Sequence, residues 1–333
     1  MTELNHQLQE TVEEIKDSKG KKNIIFDATL LTGLMTCGQF FDLRFNNQLG
    51  SVGGKSNSLE TGSLLHKGLE MFYDNLIKGV PRIDAISYGY AAMEMYIKGC
   101  PYCTGFVPSE NETKPQCGHP PNEYPGLQNT PPENTTKPNR TGWQWVLQTY
   151  VDYLDYYKND HWVPLEVETV KRKPIYEDDE IRVLWKAKLD LTVDTNQGIF
   201  PIDHKTMKQN RPTSPLNNQF RGQCFVMGTR TMFVNKIGFQ TTLEPKERFR
   251  RDPINYTSDI LHEWQSEVVP YWAYQLVNYV ESGMWPMNFT QCEGKFGPCM
   301  FSEVCKNNPS MRLDIIRNDF VVLPKWDVEN VED

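Results

Sequence analysis

The 333-residue sequence contains no internal repeat and no run of about 18 uncharged apolar residues, the length a membrane-spanning helix needs. Its first 22 positions hold no apolar stretch of the kind a secretory leader requires. No membrane association is therefore expected, and the chain reads as an intracellular, cytoplasmic protein, a reading that includes a phage-encoded protein acting in a host cytoplasm. Positive charge is also short. With 35 Lys and Arg against 43 Asp and Glu, the net charge is −8, which excludes coating nucleic acid through overall charge and confines any such contact to local basic strips. Apolar material is ample: 38% hydrophobic and 23% charged residues suffice for one large core or two small ones, and exclude disorder and collagen-like structure.

The eight cysteines are the surplus. A chain this long needs no disulfide staples, and in a cytosolic setting grouped cysteines more often hold metal. Five Asn-x-Thr sequons (Asn111, Asn134, Asn139, Asn255 and Asn288) and the even cysteine count support a secreted, disulfide-bonded alternative, which the missing leader sets aside.

Residues 1–22 read as a charged N-terminal extension ending in a Lys/Gly run. Apolar residues at helical spacing predict helices over 27–45, with Cys37 inside, over 59–78, with His66 inside, and over 83–98. Residues 99–141 hold nine of the 22 prolines and almost no aliphatic side chains, so they form an insertion without a core of its own. An aromatic helix over 143–157 follows. Alternating, β-branched segments then predict strands over 163–173, 182–195 and 198–205, with Asn196, Gln197 and Gly198 as a tight turn between the last two. A helix over 214–227, strands over 231–242 and 248–255 and a long amphipathic helix over 258–283 complete the pattern. Helices, then a sheet, then a returning helix describe an α/β fold with a mixed central β-sheet flanked by helices.

The segment from Trp185 to Thr206 concentrates the chemistry. It puts Asp190 and Asp203 on neighbouring hairpin strands, and alternation points Asp203 and Lys205 to the same side. Two carboxylates with an open coordination position suit Mg²⁺ or Mn²⁺, which lowers the pKa of a bound water. An adjacent lysine can orient that water or steady charge on a phosphate. Taken alone, an Asp-x-Lys is more often a surface ion pair, with Asp190 capping a turn. The surroundings favour the site: Gly62, His66, Leu69 and Glu70 lie upstream, then Glu168, Asp190, Asp203, His204 and Lys205, then Gln219 and Gln223.

This order resembles the PD-(D/E)XK nuclease superfamily, in particular the RecB-like exonuclease branch that includes the CRISPR adaptation nuclease and the AddB subunit. The resemblance spans about Cys37 to Cys305, outside residues 99–141. It implies a restriction-endonuclease-like core over 23–325 in which His66, Asp190 and Asp203 hold the metal together with the backbone carbonyl of His204. Lys205 is then the catalytic lysine, and Gln219 positions substrate. The sequence departs from the family pattern in having Gln223 where a tyrosine usually lies and Asp203 where this branch usually has glutamate. Glu166 and Glu168 share one side of their strand, and either a further acidic ligand or a solvated strand face fits them.

Cys292, Cys299 and Cys305 lie at short, metal-compatible intervals within a C-terminal segment, 284–310. Cys37 resembles the cysteine that opens the iron–sulfur members of the same branch, which implies a [4Fe–4S] cluster held by Cys37, Cys292, Cys299 and Cys305. Six residues separate the first two C-terminal cysteines where that branch commonly has two, so zinc stays open as the alternative. In the insertion, Cys100, Cys103, Cys117 and His119 supply four donors for a second, structural Zn²⁺, with free thiols as the other reading. Cys224 reads as core, and residues 326–333 as an acidic tail.

Basic clusters at Lys171 to Lys173, at Lys205, Lys208 and Arg211, and at Arg248 to Arg251 are candidates for tracking phosphates, with Trp143 and Trp145 for stacking on bases; solvated faces and core aromatics are the plainer readings. The expected function is a metal-dependent deoxyribonuclease acting on single-stranded DNA or on free ends in recombination, repair or replication, with a recombination or replication protein as its partner. The alternative is a non-catalytic DNA-binding subunit that keeps the nuclease fold.

Overall fold

The computed structural model describes residues 21–51, 57–98, 143–207, 212–239, 243–294 and 297–327. The proposed insertion with Cys100, Cys103, Cys117 and His119 lies outside the described residues, as do residues 1–20, Lys208, Arg211 and the tail beyond Asp327.

The chain is α/β, with a mixed central sheet flanked by helices. In chain order it runs β1 (Lys22–Phe26), α1 (Ala28–Thr36), β2 (Leu49–Ser51), α2 (Asn57–Ile77), α3 (Arg82–Lys98), α4 (Trp143–Tyr156), β3 (Val163–Glu177), β4 (Ile181–Thr195), β5 (Gly198–Met207), α5 (Asn218–Met227), β6 (Thr231–Gly238), β7 (Phe249–Asn255), α6 (Ser258–Glu263) and α7 (Val269–Ser282). A smaller C-terminal part holds the hairpin β8 (Glu293–Gly294) and β9 (Gly297–Pro298), helices α8 (Ser302–Lys306) and α9 (Arg312–Asp319), and β10 (Phe320–Val322), which pairs antiparallel with β2. Among the described residues no helix is long and apolar enough to cross a membrane.

The six-stranded sheet runs β1-β4-β5-β6-β7, with β3 also paired to β4. Pairings β1/β4 and β5/β6 are parallel, and the rest are antiparallel. Strand β4 is the organiser. Along one side it pairs β3; on the other it pairs β1 through Ile181–Trp185 and β5 through Leu191–Thr195. Strands β1 and β5 therefore diverge across Lys186–Asp190, and this fork opens a cleft in the middle of the sheet. Asn196 and Gln197 make the tight β4–β5 turn, and Gly198 takes φ +132° there, a value side-chain-bearing residues rarely adopt.

One apolar cluster joins α2, α3 and α4 to the sheet through Leu65, Phe72, Tyr150 and Tyr153, packed with Leu191, Val193 and Ile202. A second packs α1, α5 and α7 through Leu31, Phe225 and Ala273 against Ile181, Val183 and Trp185. Two aromatic side chains of α4 are core: Tyr150 and Tyr153 are fully buried, whereas Trp145 is half-buried and Tyr156 exposed. Cys224 is core as expected, and burial pushes its thiol up to about 12.

Two local features depart from the sequence pattern. Residues 22–26, assigned to the extension and its boundary, form β1, with Ile24 and Phe26 buried and Ile25 exposed; a five-residue alternation is too short to stand out beside a charged run. The helix expected over 27–45 stops at Thr36. Cys37 is extended (φ −169°, ψ 128°), and a short helix restarts at Gly38. The cause is tertiary. The C-terminal segment docks here, with the Asn288 N–H donating to Cys37 Sγ at 3.3 Å and Pro286 packed so closely on Gly38 that a Cβ would lie 2.7 Å from its ring.

Candidate active site

The cleft in the β4 fork, about 230 Å³, is lined by Asp27, Lys186, Lys188, Asp190, Lys205, Gln219, Gln223 and Trp326 among others. Helix α5 closes one wall. Its Asn217 cap accepts the Gln219 N–H, and Gly222 lets it lie directly on β4, since a Cβ there would fall 2.1 Å from the Trp185 indole nitrogen. That approach brings Gln219 and Gln223 over β5. Gln219 Nε2 donates to Asp203 Oδ1 at 2.6 Å, Gln223 Nε2 donates to the same oxygen at 3.2 Å, and Lys205 Nζ donates to Gln219 Oε1 at 3.1 Å. Lys205 Nζ also lies 2.9 Å from Asp203 Oδ2. Asp203 and Lys205 therefore share one side of β5, as alternation requires, and Gln223 takes part despite lacking the expected tyrosine ring.

On the neighbouring side, His66 from α2 approaches the backbone of His204. His66 Nε2 lies 3.0 Å from the His204 carbonyl oxygen, and the His204 N–H donates to Asp190 Oδ2 at 2.6 Å. His66 Nδ1 lies 3.9 Å from the same Asp190 oxygen. The two backbone polar groups of His204 thus touch two of the three side chains expected to hold metal, Asp190 and His66. His204 itself is clamped below them: its Nδ1 is 2.7 Å from Asn235 Nδ2, and its ring stacks on Tyr73. Burial, with His66 nearby, holds its imidazole well below the usual histidine range.

Glu168 completes the group. The donor atoms of His66, Glu168 and Asp190 all lie within 4.8 Å of one another. Glu168 lies between Val167 and Thr169, which pair with Leu191 and Leu189 on either side of Asp190, and has φ +49°, an unusual backbone for a glutamate within a strand. Burial, and next the Asp190 charge, raise its carboxyl to about 7, while Lys188 at 2.8 Å offsets part of this. Two carboxylates and an imidazole, crowded where burial penalises negative charge, fit a hard divalent cation such as Mg²⁺ or Mn²⁺. The closest donor triad is therefore His66, Glu168 and Asp190, where the sequence pattern offered His66, Asp190 and Asp203. Asp203 is engaged by α5 and Lys205.

The basic clusters behave differently from expectation. Arg248 is buried on Asp152 and Thr149, and Arg251 is sandwiched over the rings of Tyr157 and Trp162, 3.8 and 4.1 Å from their centroids, with Asp160 at its end. Arg250 pairs Asp252, Lys171 pairs Glu166, and Lys173 lies over the Phe225 ring. Arg248 and Lys173 thus tie the sheet to α4 and α5, and Arg251 is held by the turn after α4, while Arg172, Lys173 and Arg250 stay exposed. Of the basic groups named from the sequence, Lys205 lines the cleft; Lys186 and Lys188, which line it too, lie inside the segment the sequence singled out, where the carboxylates drew the attention.

About the C-terminal part, Cys37, Cys292, Cys299 and Cys305 converge. Cys299 and Cys305 pack with Phe301 and Val304. Burial raises both thiols, and neighbouring sulfurs add to this: Cys292 and Cys37 act on Cys299, and Cys299, Cys292 and Cys37 on Cys305. The Cys299 N–H donates to the Cys292 carbonyl at 2.8 Å, beside the antiparallel pairing of β8 with β9. Thiols held near one another with raised pKa values are costly to deprotonate unless a metal accepts the sulfurs.

No family model and no curated protein matches the chain. Six solved chains match it; one, titled "Crystal structure of SSO0001", is 12% identical with a TM-score of 0.30 over 91% of this chain and 93% of that one. What the site can do rests on its own geometry.

Proposed function

We propose that this chain is a metal-dependent deoxyribonuclease that hydrolyses phosphodiester bonds, acting on single-stranded DNA or DNA ends in recombination, repair or replication. The observation that carries this reading is the convergence of His66, Glu168, Asp190 and the His204 carbonyl beside the Asp203–Lys205–Gln219 chain, with Asp190, Lys205 and Gln219 lining the cleft. The PD-(D/E)XK resemblance, with a restriction-endonuclease-like core over 23–325, agrees with it. A bound Mg²⁺ or Mn²⁺ would supply an acidified water and a Lewis acid for the phosphate. His66, Glu168 and Asp190 would hold that ion. Lys205, kept in place by Asp203 and Gln219, would orient the attacking water or steady charge on the phosphoryl oxygens.

Cys37, Cys292, Cys299 and Cys305 are assigned to a structural [4Fe–4S] cluster, with zinc as the other occupant. Broad visible absorbance with bound iron supports the first, and a colourless protein with tightly bound zinc the second. The activity is tested by incubating end-labelled linear, circular and duplex DNA with Mg²⁺ or Mn²⁺. Metal-dependent cleavage supports the proposal, and the products separate exonuclease from endonuclease. Tight DNA binding without cleavage under either metal rejects it in favour of a non-catalytic subunit.

A further inference from the structure

One wall of the cleft is made by the chain's own C-terminal segment. Strand β10 is anchored on β2, and the Leu323 N–H donates to the Gln48 carbonyl at 2.7 Å. The next residues then cross to the cleft. The Trp326 indole N–H donates to Asp27 Oδ2 at 2.7 Å, and its ring meets Phe45 edge-on. Asp27 is fixed in turn, because its other oxygen caps α1 by accepting the Leu30 N–H at 2.8 Å. Trp326 lines the catalytic cleft and also an adjoining open groove of about 430 Å³, bordered by Thr32, Phe40, Arg44, Asn217 and Gln219. It stands where the two spaces meet. Beside it, the Asp327 carboxylate forms an ion pair with Lys186, whose side chain is 8% exposed against 38% for Asp327.

The two partners of that ion pair are unequal. Lys186 comes from the floor of the fork, and a lysine buried there needs an anion, because removing its charge from water costs several kcal/mol unless it is paired. Asp327 sits at the solvent side, six residues from the end of the sequence, with Glu329, Glu332 and Asp333 following. A phosphodiester oxygen satisfies Lys186 as well as a carboxylate does, and an indole ring occupies the space a stacked base would take. An aromatic ring followed by an anion is also the chemistry of one nucleotide.

We infer that Lys186 is a phosphate-binding subsite of the cleft and that Trp326 and Asp327 are its resident competitor, occupying in the free chain the places of a base and its phosphate. A nucleic-acid strand entering through the groove beside Arg44 displaces them, so the C-terminal segment sets a threshold for substrate. The inference rests on the nuclease reading.

It is tested with the full chain and a fluorescein-labelled single-stranded oligonucleotide with no Mg²⁺ or Mn²⁺ added, so that metal-dependent hydrolysis does not intervene, by fluorescence anisotropy. Asp327→Asn is expected to tighten binding about fivefold, Lys186→Gln to weaken it about tenfold, and the double variant to match Lys186→Gln, because the Asp327 carboxylate competes through that lysine. Lys186→Arg, which keeps the charge, retains binding and controls for folding; if Lys186→Gln fails to fold, a Lys186→Arg and Asp327→Asn pair carries the same comparison, with the fivefold gain preserved. A simple structural ion pair predicts the opposite sign, with Asp327→Asn unchanged or weaker, and that result overturns the subsite. So does an equal gain in the Lys186→Gln background, which would mean general charge repulsion. Binding by the parent chain with all variants unaltered removes the subsite alone, whereas no binding by any variant removes the nuclease reading along with it.

Discussion

The carboxylate site and the cysteine site are both sets of metal-type donors, yet they are built in opposite ways. The first stands on the sheet. Asp190 and Asp203 are buried, the backbone of His204 holds Asp190 and His66, and α5 locks Lys205 from above. Register and packing fix these groups before any ion arrives. The second stands on chain ends. Its four sulfurs are only half-buried, they come from a break between helices and from a small hairpin and helix near the C-terminus, and their local apolar cluster is small. On the proposed reading, an ion at the first site would serve chemistry and an ion at the second would serve structure.

The largest effect should therefore come from the first site, and on rate alone. Asp190→Asn is expected to cut metal-dependent cleavage by about a thousandfold while the melting temperature moves by less than about 3 °C. A comparable loss of melting temperature would show that the sheet does not hold the site by itself. Cys305→Ser should do the reverse: a stability loss of roughly 3 kcal/mol or more in urea, with limited proteolysis cutting first within 284–327, and cleavage per folded molecule reduced less than about tenfold. If the whole chain unfolds in one step at low urea, the two regions are not separable.

Glu168→Gln sharpens the boundary of the first site. It is expected to weaken Mn²⁺ binding at least about tenfold in a calorimetric titration, whereas unchanged affinity would reduce Glu168 to a partner of Lys188. The smallest effect belongs to Gln223→Leu. This variant removes one donor to Asp203 and leaves Gln219 in place, so cleavage should fall only about threefold to tenfold.

The same contrast explains what the sequence makes legible. The order of helices and strands from α2 to α7 follows from period and alternation, and alternation alone puts Asp203 and Lys205 on one side of β5, whereas Gln219 is implied only by the family resemblance. Glu168 is not decided that way, because its place depends on a β3–β4 register set across 22 residues and on one backbone angle of +49°. Arg248 and Arg251 look like open phosphate contacts in sequence, since nothing there reveals that Asp152 and Asp160, about a hundred residues earlier, turn them inward. The break at Cys37 and the clasp of Trp326 on Asp27 have no local signature at all. Both are made by segments some 250 to 300 residues apart, and such contacts appear only once the chain has folded back on itself.

The central claim is that the cleft in the β4 fork is a hydrolytic centre served by Lys205. Its most direct test is digestion of labelled single-stranded DNA in Mn²⁺ by the parent chain and by Lys205→Ala, with circular dichroism and melting curves run on both. Abolished cleavage by a variant that keeps the parent fold and melting temperature is the predicted result, and undiminished cleavage by Lys205→Ala would contradict the account.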